Sequence, residues 1–511
     1  MIPVNLSTNL RQTAEKTPDV TALLYLDQKI SYRDLNADVD RFAAGLAKLG
    51  IGKGSNVALL LGNSPEFVIA YYAIVRLGAV AVPINPLYTP GEIQFILADC
   101  GVQAVIAVGQ MAPLAPLVLQ MLPTCKAVIL VGAELEMEGV SAFGEVLNSG
   151  GEVPTVEATP DDIAVILYTS GTTGQPKGAL LSHQNLCSNA NNIGDFLNMS
   201  AADMVVAVLP MFHVFCMTVC LNAPLYRGAT ILVMPRFSPT ETAKAIQAHQ
   251  ATMFAGVPTM FNFLVQHPEV QADELKSLNL AISGGAAMPV AVLEAFEQKF
   301  GVIVSEGYGL SEASPVVTFN PLDRPRKPGT IGVVIPGVEA RVVDENGNDV
   351  GPGVVGELIC RGDNVMVGYL KRPEESALAL RDGWLYTGDM ATVDEEGYFS
   401  IVDRKKDMII VGGFNVYPRE VEEVLFRHPN VREAAVVGVP DANYGEKVRA
   451  FVALKQEDAS TEADLIAHCE AVLTAYKVPK EVFILEELPK NTTGKILRRE
   501  LKKNENNPVS K

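Results

Sequence analysis

Only seven of the 511 residues are cysteine, and no two are spaced C-x-x-C. An odd, scattered set excludes a disulfide framework and reads as the reduced thiols of a cytosolic protein, with Cys216 and Cys220 assigned to packing rather than metal ligation. Basic charge is also scarce. Against 59 Asp and Glu stand 41 Lys and Arg, a formal net charge of −18. That balance argues against nucleic acid as the principal partner and requires any polyphosphate site to be locally cationic or to use Mg²⁺. No long apolar run goes unbroken. The most apolar stretch, Val57–Ile84, is interrupted by Asn63, Ser64, Pro65, Glu66 and Arg76, which reads as strand, helix and strand inside a globular core rather than a membrane span. The opening MIPVNLSTNLRQTAEKTPD has no basic start followed by an apolar segment, and the closing Pro-Val-Ser-Lys is not the peroxisomal S-K-L address. The expected location is therefore the cytoplasm. Internal repeats and low-complexity tracts are missing too.

What is present is core-forming material, with 48% of residues apolar and 20% charged. The runs VALLLG, AVPI, QAVIAV, KAVILV and ATILVM read as short strands. Between them lie helices with legible starts: in TPGE, Thr89 caps, Pro90 takes the first helical position and Glu92 closes a capping box, and SPTE at Ser238–Glu241 repeats the arrangement. Strands separated by helices predict an α/β fold with parallel sheets covered on both faces. After about Val338 the texture changes to short strands and turns such as ENGN and DEEGY. Beyond Asp403, the segments Val421–Arg427, Ala434–Val439, Arg449–Leu454 and Thr461–Leu473 predict a compact α+β unit able to move as a body. The expected division is 1–403 and 404–511.

The run YTSGTTGQPKG at Tyr168–Gly178 comes directly after the apolar IAVIL. Glycines at 171, 174 and 178 let backbone N–H groups approach anionic oxygens; the hydroxyls of Thr169, Ser170, Thr172 and Thr173 donate; Lys177 supplies positive charge. The run is not a Walker A loop, because Pro176 and Gly178 stand where G-x-x-x-x-G-K-[ST] needs other residues.

Further motifs come in a fixed order: FHVFCM at Phe212–Met217, GGAAMP at Gly284–Pro289, GYGLSE at Gly307–Glu312, YTGD at Tyr386–Asp389, DRKKDMIIVGGFNVYPRE at Asp403–Glu420 and PKNTTGKILRRE at Pro489–Glu500. With the phosphate loop, this series resembles the adenylate-forming ligases, which include acyl-CoA synthetases, carrier-protein adenylation domains and beetle luciferases, and within them the bacterial fatty acyl-CoA synthetases. The resemblance implies a large N-terminal domain of two packed α/β sheets plus a small β-barrel, and a mobile C-terminal domain. It implies ATP and CoA as co-substrates and Mg²⁺ as cofactor. A carboxylate is a poor electrophile, and transfer of AMP onto it supplies the missing leaving group.

By the same resemblance, Lys495 in the turn NTTGK bridges carboxylate and α-phosphate during adenylation. Glu312 organises Mg²⁺ with Thr169 as a second contact, and Ser311 stands where the family often has a threonine touching the α-phosphate. Tyr308, flanked by Gly307 and Gly309, stacks on adenine against the wall Gly284, Gly285, Ala286 and Ala287; taken alone, that wall is a simple loop and Tyr308 a core residue. Asp389 accepts the ribose hydroxyls and Arg404 adds a contact. Lys406 is the hinge position. Gly412, Gly413 and Phe414 line the pantetheine tunnel, with Tyr444, Glu446 and Lys447 near CoA.

His213 resembles the gate that the acid passes; as a lone histidine between Phe212 and Phe215 it would be read as core. The acid pocket draws on Phe215, Met217, Val257, Pro258, Met260, Pro315, Val316 and Val317. These are apolar, and no charged residue in those stretches stands ready for a second carboxylate or an amino group. A medium- or long-chain fatty acid is the expected substrate, an aryl acid the alternative, and loading of a carrier protein the alternative acceptor. Expected partners are small molecules and no nucleic acid, with peripheral membrane contact and a homodimer as the assemblies considered.

Overall fold

The computed structural model describes residues 5–156, 158–170, 176–455, 460–491 and 494–503. Two large sheets hold most of the chain. One has nine strands in the order Val333–Val334, Val316–Phe319, Val304–Gly309, Leu280–Ser283, Met253–Gly256, Met204–Ala207, Thr230–Val233, Thr21–Tyr25, Gln28–Ser31. Its centre is parallel, and antiparallel strands close both edges. The other has eight strands. A parallel set at Val80–Pro83, Asn56–Leu60, Ala104–Val108 and Ala127–Val131 runs out at one edge into the hairpin Ile163–Ser170 and Pro176–Ser182, to which Gly368–Tyr369 adds.

Parallel strands need cover on both faces, and their residues divide accordingly. Val57 and Leu59 join the core shared with the first sheet. Ala58 and Leu60, pointing the other way, pack with Ile93, Ile96 and Leu97 of the helix Pro90–Asp99. That helix starts as its sequence predicts, with Pro at its first turn and a complete Thr89–Glu92 capping box. Ser238 also caps, accepting the Glu241 N–H at 3.5 Å, but the return bond of a capping box is not formed there.

The residues that interrupt Val57–Ile84 turn out to join the two sheets. Pro65–Arg76 is a helix with every side chain buried except that of Glu66. Asn63, just before it, is 6% exposed. Its Nδ2 donates to the carbonyls of Ala207, Leu209 and Met234 at 3.2, 2.8 and 3.0 Å, and its Oδ1 accepts from Met211 N–H at 2.8 Å. Both ends of the amide are thus engaged across the sheet boundary, so a polar residue sits in the core without an unpaired group. Arg76 is likewise buried, paired with Asp40 at 2.7 Å and donating to Ser7 Oγ at 2.8 Å.

The β-rich region after Val338 is a five-stranded antiparallel sheet ending at Phe399–Arg404. A fourth sheet, also of five strands, begins at Ile409–Val411 and carries the helices Pro418–Phe426 and Glu462–Glu470 on a core of its own around Val421, Leu425, Val436, Val448 and Leu465. This smaller unit rests on the helix Pro258–Gln266. Asn262 Nδ2 donates to Arg432 O at 2.9 Å, Thr259 Oγ1 to Gly494 O at 3.5 Å, and Lys490 Nζ lies 5.5 Å from the Phe263 ring centroid. All seven cysteines are buried and free. No helix among the described residues is long and apolar enough to cross a membrane.

Candidate functional site

The site draws on the larger sheet, on the hairpin of the second sheet, on the β-rich third sheet and on the small unit. Leu280–Ser283 runs into the glycine-alanine loop. Gly284 is buried, while Gly285, Ala286 and Ala287 are exposed. A Cβ on Gly284 would stand 3.1 Å from Phe215 Cζ, and Gly285 has φ +78°, a backbone region that favours glycine. The loop is thus flat for two reasons, close approach and left-handed backbone. Its far end is tied down by Glu306, whose Oε1 accepts Met288 N–H at 2.9 Å. Burial raises the Glu306 carboxyl to about 7.

Gly307 and Gly309 flank Tyr308 on the neighbouring strand. A Cβ at Gly307 would meet the Phe319 ring at 2.2 Å, and one at Gly309 would meet Pro315 O at 2.2 Å. Both glycines are therefore demanded by the adjoining chain from Pro315 to Phe319. The Tyr308 ring is half-buried against two core clusters, and its hydroxyl donates to Asp389 Oδ2. Burial first, then the Asp389 charge, raises its pKa and keeps it a neutral donor. Asp389 faces Arg404 across an antiparallel pair, with Arg404 Nε 3.7 Å from its Oδ1. Tyr308, Asp389 and Arg404 are thus brought together as expected.

Gly171, Thr172, Thr173 and Gly174 of the glycine-rich loop lie outside the described residues, but its two arms are defined. Thr169 and Lys177 are cross-strand partners in the hairpin, as are Ser170 and Pro176. Gly178 departs from its expected role. It lies within the strand, and a Cβ there would stand 2.7 Å from Ile166 Cγ2 and 3.2 Å from Tyr168 Cζ. Its smallness is required by strand packing. Thr169 Oγ1 donates to Glu312 Oε1 at 3.5 Å. Glu312 and Ser311 share the short helical turn Ser311–Ala313.

Tyr369 and Glu375 are functional neighbours that no motif in the sequence announces. Tyr369 OH donates to Glu312 Oε1 at 2.8 Å, and Lys177 Nζ sits 5.5 Å from the Tyr369 ring centroid and 3.9 Å from Glu375 Oε1. Both described hydrogen bonds to the Glu312 carboxylate thus go to Oε1, which leaves Oε2 for a cation. Among the described residues no group of three or more His, Cys, Asp or Glu could hold a metal ion. One carboxylate and one hydroxyl fit a Mg²⁺ that arrives with phosphate oxygens as its other ligands, not a resident ion.

The acid-pocket candidates Phe215, Met217, Val257, Pro258, Met260, Pro315, Val316 and Val317 are all buried. Phe215 touches the glycine-alanine loop, and Met217 lies in the wide helical turns Cys216–Asn222, where Ala223 N–H reaches back five residues to Thr218 O. His213 is half-buried beside them. Burial, with a smaller push from Lys495, lowers its pKa to about 4, so it is neutral at physiological pH.

Lys495 arrives from the small unit. Its turn is closed by Asn491, whose Oδ1 accepts Lys495 N–H at 2.9 Å and whose N–H donates to Lys495 O at 2.9 Å. Gly494, at φ +81°, would place a Cβ 2.8 Å from Thr259 Oγ1 and 3.0 Å from Val257 Cγ2. Burial lowers the Lys495 ammonium to about 7, helped by Arg404, Arg498 and Lys406 and opposed by Asp389. The lysine therefore lies within electrostatic reach of His213, Asp389 and Arg404, while Lys406 sits exposed in the turn after Arg404.

The CoA candidates form a separate cluster. Gly412 N–H donates to Tyr444 O at 2.8 Å, Phe414 stacks on Tyr476 at 4.8 Å, and Phe414 and Tyr444 are each 59% exposed. A cavity of about 250 Å³ opens beside them between Tyr444, Tyr476, Lys447 and Lys480. No described hydrogen bond, ion pair or ring contact joins this cluster to Thr169, Glu312 or Lys495.

Residues 10–370 match the family described as AMP-binding enzyme, and residues 420–495 match the AMP-binding enzyme C-terminal domain. A long-chain-fatty-acid–CoA ligase of Bacillus subtilis is 39% identical, covering 97% of this chain and 94% of its own. A feruloyl-CoA synthase of Amycolatopsis is 35% identical over 96% of this chain and 97% of its own. The crystal structure of ATP-bound MatB from Rhodopseudomonas palustris superposes with a TM-score of 0.91 at 33% identity, covering 98% of each chain.

Proposed function

The chain belongs to the AMP-binding enzyme family, and from that premise we propose an ATP-dependent acid–CoA ligase acting on a medium- or long-chain fatty acid. The observation that supports the reading is the seating of the Gly494–Lys495 turn of the small unit against Val257 and Thr259, where Thr259 Oγ1 donates to Gly494 O at 3.5 Å. A lysine supplied there would neutralise the carboxylate and the α-phosphate as they approach each other.

In the first step a carboxylate oxygen of the acid attacks the α-phosphorus of ATP, the P–O bond to pyrophosphate breaks, and acyl-AMP forms. Two anions must meet, so charge has to be neutralised and aligned beforehand. Lys495 serves both reactants at once. Lys177 and the donors of the Thr169–Gly174 loop hold the departing phosphates, and Ser311 the α-phosphate. Tyr308 and the loop Gly284–Ala286 hold adenine, with Asp389 and Arg404 on the ribose. Thr169 and Glu312 would hold Mg²⁺, which supplies further neutralisation of the phosphates. His213, neutral, gates the acid without adding a charge.

In the second step the thiol of CoA gives up its proton to solvent, its sulfur attacks the acyl carbonyl carbon, and the acyl C–O bond breaks so that AMP leaves with the electron pair. Gly412–Phe414, brought in by rotation about Lys406, line the approach, with Tyr444 beside CoA. The unit that moves is 404–511, and the cytoplasm is where the protein works. The apolar character of the buried candidates Phe215, Met217, Val257, Met260 and Val316 supports an oily acid; the feruloyl-CoA synthase among the relatives favours an aryl acid as the second reading.

Purified protein with ATP, Mg²⁺ and CoA, offered acids from acetate to palmitate and several aromatic ones, should release AMP at rates that climb with chain length to an optimum. A maximum on an aryl acid would replace the fatty acid, and absence of pyrophosphate release with every acid would overturn the reading. Purified carrier protein in place of CoA tests the acceptor.

A further inference from the structure

Resting on the ligase reading, we propose that Tyr369 is a positioning residue of the nucleotide site: its phenol fixes the Glu312 carboxylate while its ring seats the Lys177 ammonium, so that the two charges stay apart and available to cation and phosphate.

A site that binds a metal–polyphosphate complex needs an anionic ligand and a cationic one side by side. Left alone, such a pair collapses into an ion pair and forfeits both functions. Here the groups come from different elements, Lys177 from the hairpin and Glu312 from the turn after Gly309, and Tyr369 stands between them. Its hydroxyl donates to Glu312 Oε1 at 2.8 Å, the same oxygen that Thr169 reaches at 3.5 Å, so that neither bond occupies Oε2. On its other side the ring faces Lys177 Nζ at 5.5 Å, inside the range of a cation–π contact, and the lysine leans at 3.9 Å toward Glu375 rather than Glu312.

The tyrosine is itself held firmly. It pairs with Ala179 at the sheet edge; its N–H donates to Ser376 Oγ at 2.8 Å, and the next N–H, of Leu370, donates to Gly178 O at 2.8 Å. A little further on, Arg372 bonds Asp99 Oδ1 at 3.2 Å, while Asp99 Oδ2 accepts the Tyr168 hydroxyl at 2.7 Å. Burial and the Glu312 charge raise the phenol's pKa, which keeps it a neutral donor. A purely structural ring would need no hydroxyl aimed at the Glu312 carboxylate.

The test compares the wild-type protein with Tyr369→Phe, which keeps the ring and its cation–π contact. ATP binding is measured by calorimetry at increasing Mg²⁺ and again in excess chelator. The Mg²⁺ concentration that half-saturates the enhancement of binding should rise about tenfold, the size of one lost hydrogen bond to a charged group, with affinity in chelator within about twofold of wild type. Tyr369→Leu, which loses the ring as well, should weaken binding in chelator too, because Lys177 is then free to pair with Glu312. Circular dichroism melts of both variants report folding. Unchanged Mg²⁺ dependence in Tyr369→Phe would overturn the proposal, as would equal losses with and without Mg²⁺. Pyrophosphate exchange by the wild-type protein is a separate readout: its failure counts against the ligase reading, while the binding data still decide the role of Tyr369.

Discussion

Two turns of the small unit, both centred on glycine, end up in opposite surroundings. The turn of Gly494 and Lys495 is pressed against Val257 and Thr259, and its lysine is desolvated enough to titrate near neutrality. The turn of Gly412 and Gly413 is in the open, with Phe414 59% exposed and stacked on Tyr476 of the same unit. Under the proposed function each turn serves one half-reaction, and the structure seats the first against the large unit and leaves the second exposed. A rigid body with two working faces can run two steps in order, because presenting one face withdraws the other.

The sharpest way to break this contrast is Lys495→Ala. Acyl-AMP formation should fall by at least about 100-fold, the scale of a lost charge-stabilising group, while thioester formation from supplied acyl-AMP persists. Equal loss of both steps would deny the division of labour. Gly412→Leu inverts the experiment. At φ +57°, with Tyr444 Cδ1 3.3 Å from the added Cβ, the turn must distort, and thioester formation should drop on the order of 100-fold with pyrophosphate exchange preserved. Exchange that falls as far as overall activity would contradict it.

A pH profile gives a smaller, graded effect. With Lys495 lowered to about 7, its ammonium is present below that pH and lost above it, so kcat/KM for ATP should fall about tenfold per pH unit on the alkaline side. Lys495→Arg, always protonated, should lack that limb even if it is slow. Smallest is Asn262→Ala, which removes the bond to Arg432 O that helps seat the small unit. One hydrogen bond of about 1 kcal/mol predicts a roughly fivefold loss of adenylation, with thioester formation from acyl-AMP unchanged.

The strands, helix starts and hairpin were legible because their causes are local: Thr89 meets its partner three residues away, and the alternation around Val57–Leu60 is written in neighbouring side chains. That Tyr308, Asp389 and Arg404 come together was legible through motifs, although those residues are far apart along the chain. Asn63 reads in the sequence as an interruption, since nothing nearby says that its partners come from the other sheet. Gly178 reads in the sequence as part of an anion loop and Gly307 and Gly309 as flanks of Tyr308, and only the chain beside each one reveals that a side chain would collide. Tyr369 carries no pattern at all, because what makes it matter is a carboxylate 57 residues away.

By itself, then, the order of residues determined the elements, the family and the chemical kinds of group available, since these depend on spacing along the chain. Which groups meet, which oxygen of Glu312 is left open and which face of the small unit is turned inward were decided by tertiary packing. Burial and direction exist only once distant segments share a surface, and it is burial that brings an ordinary lysine to titrate near 7.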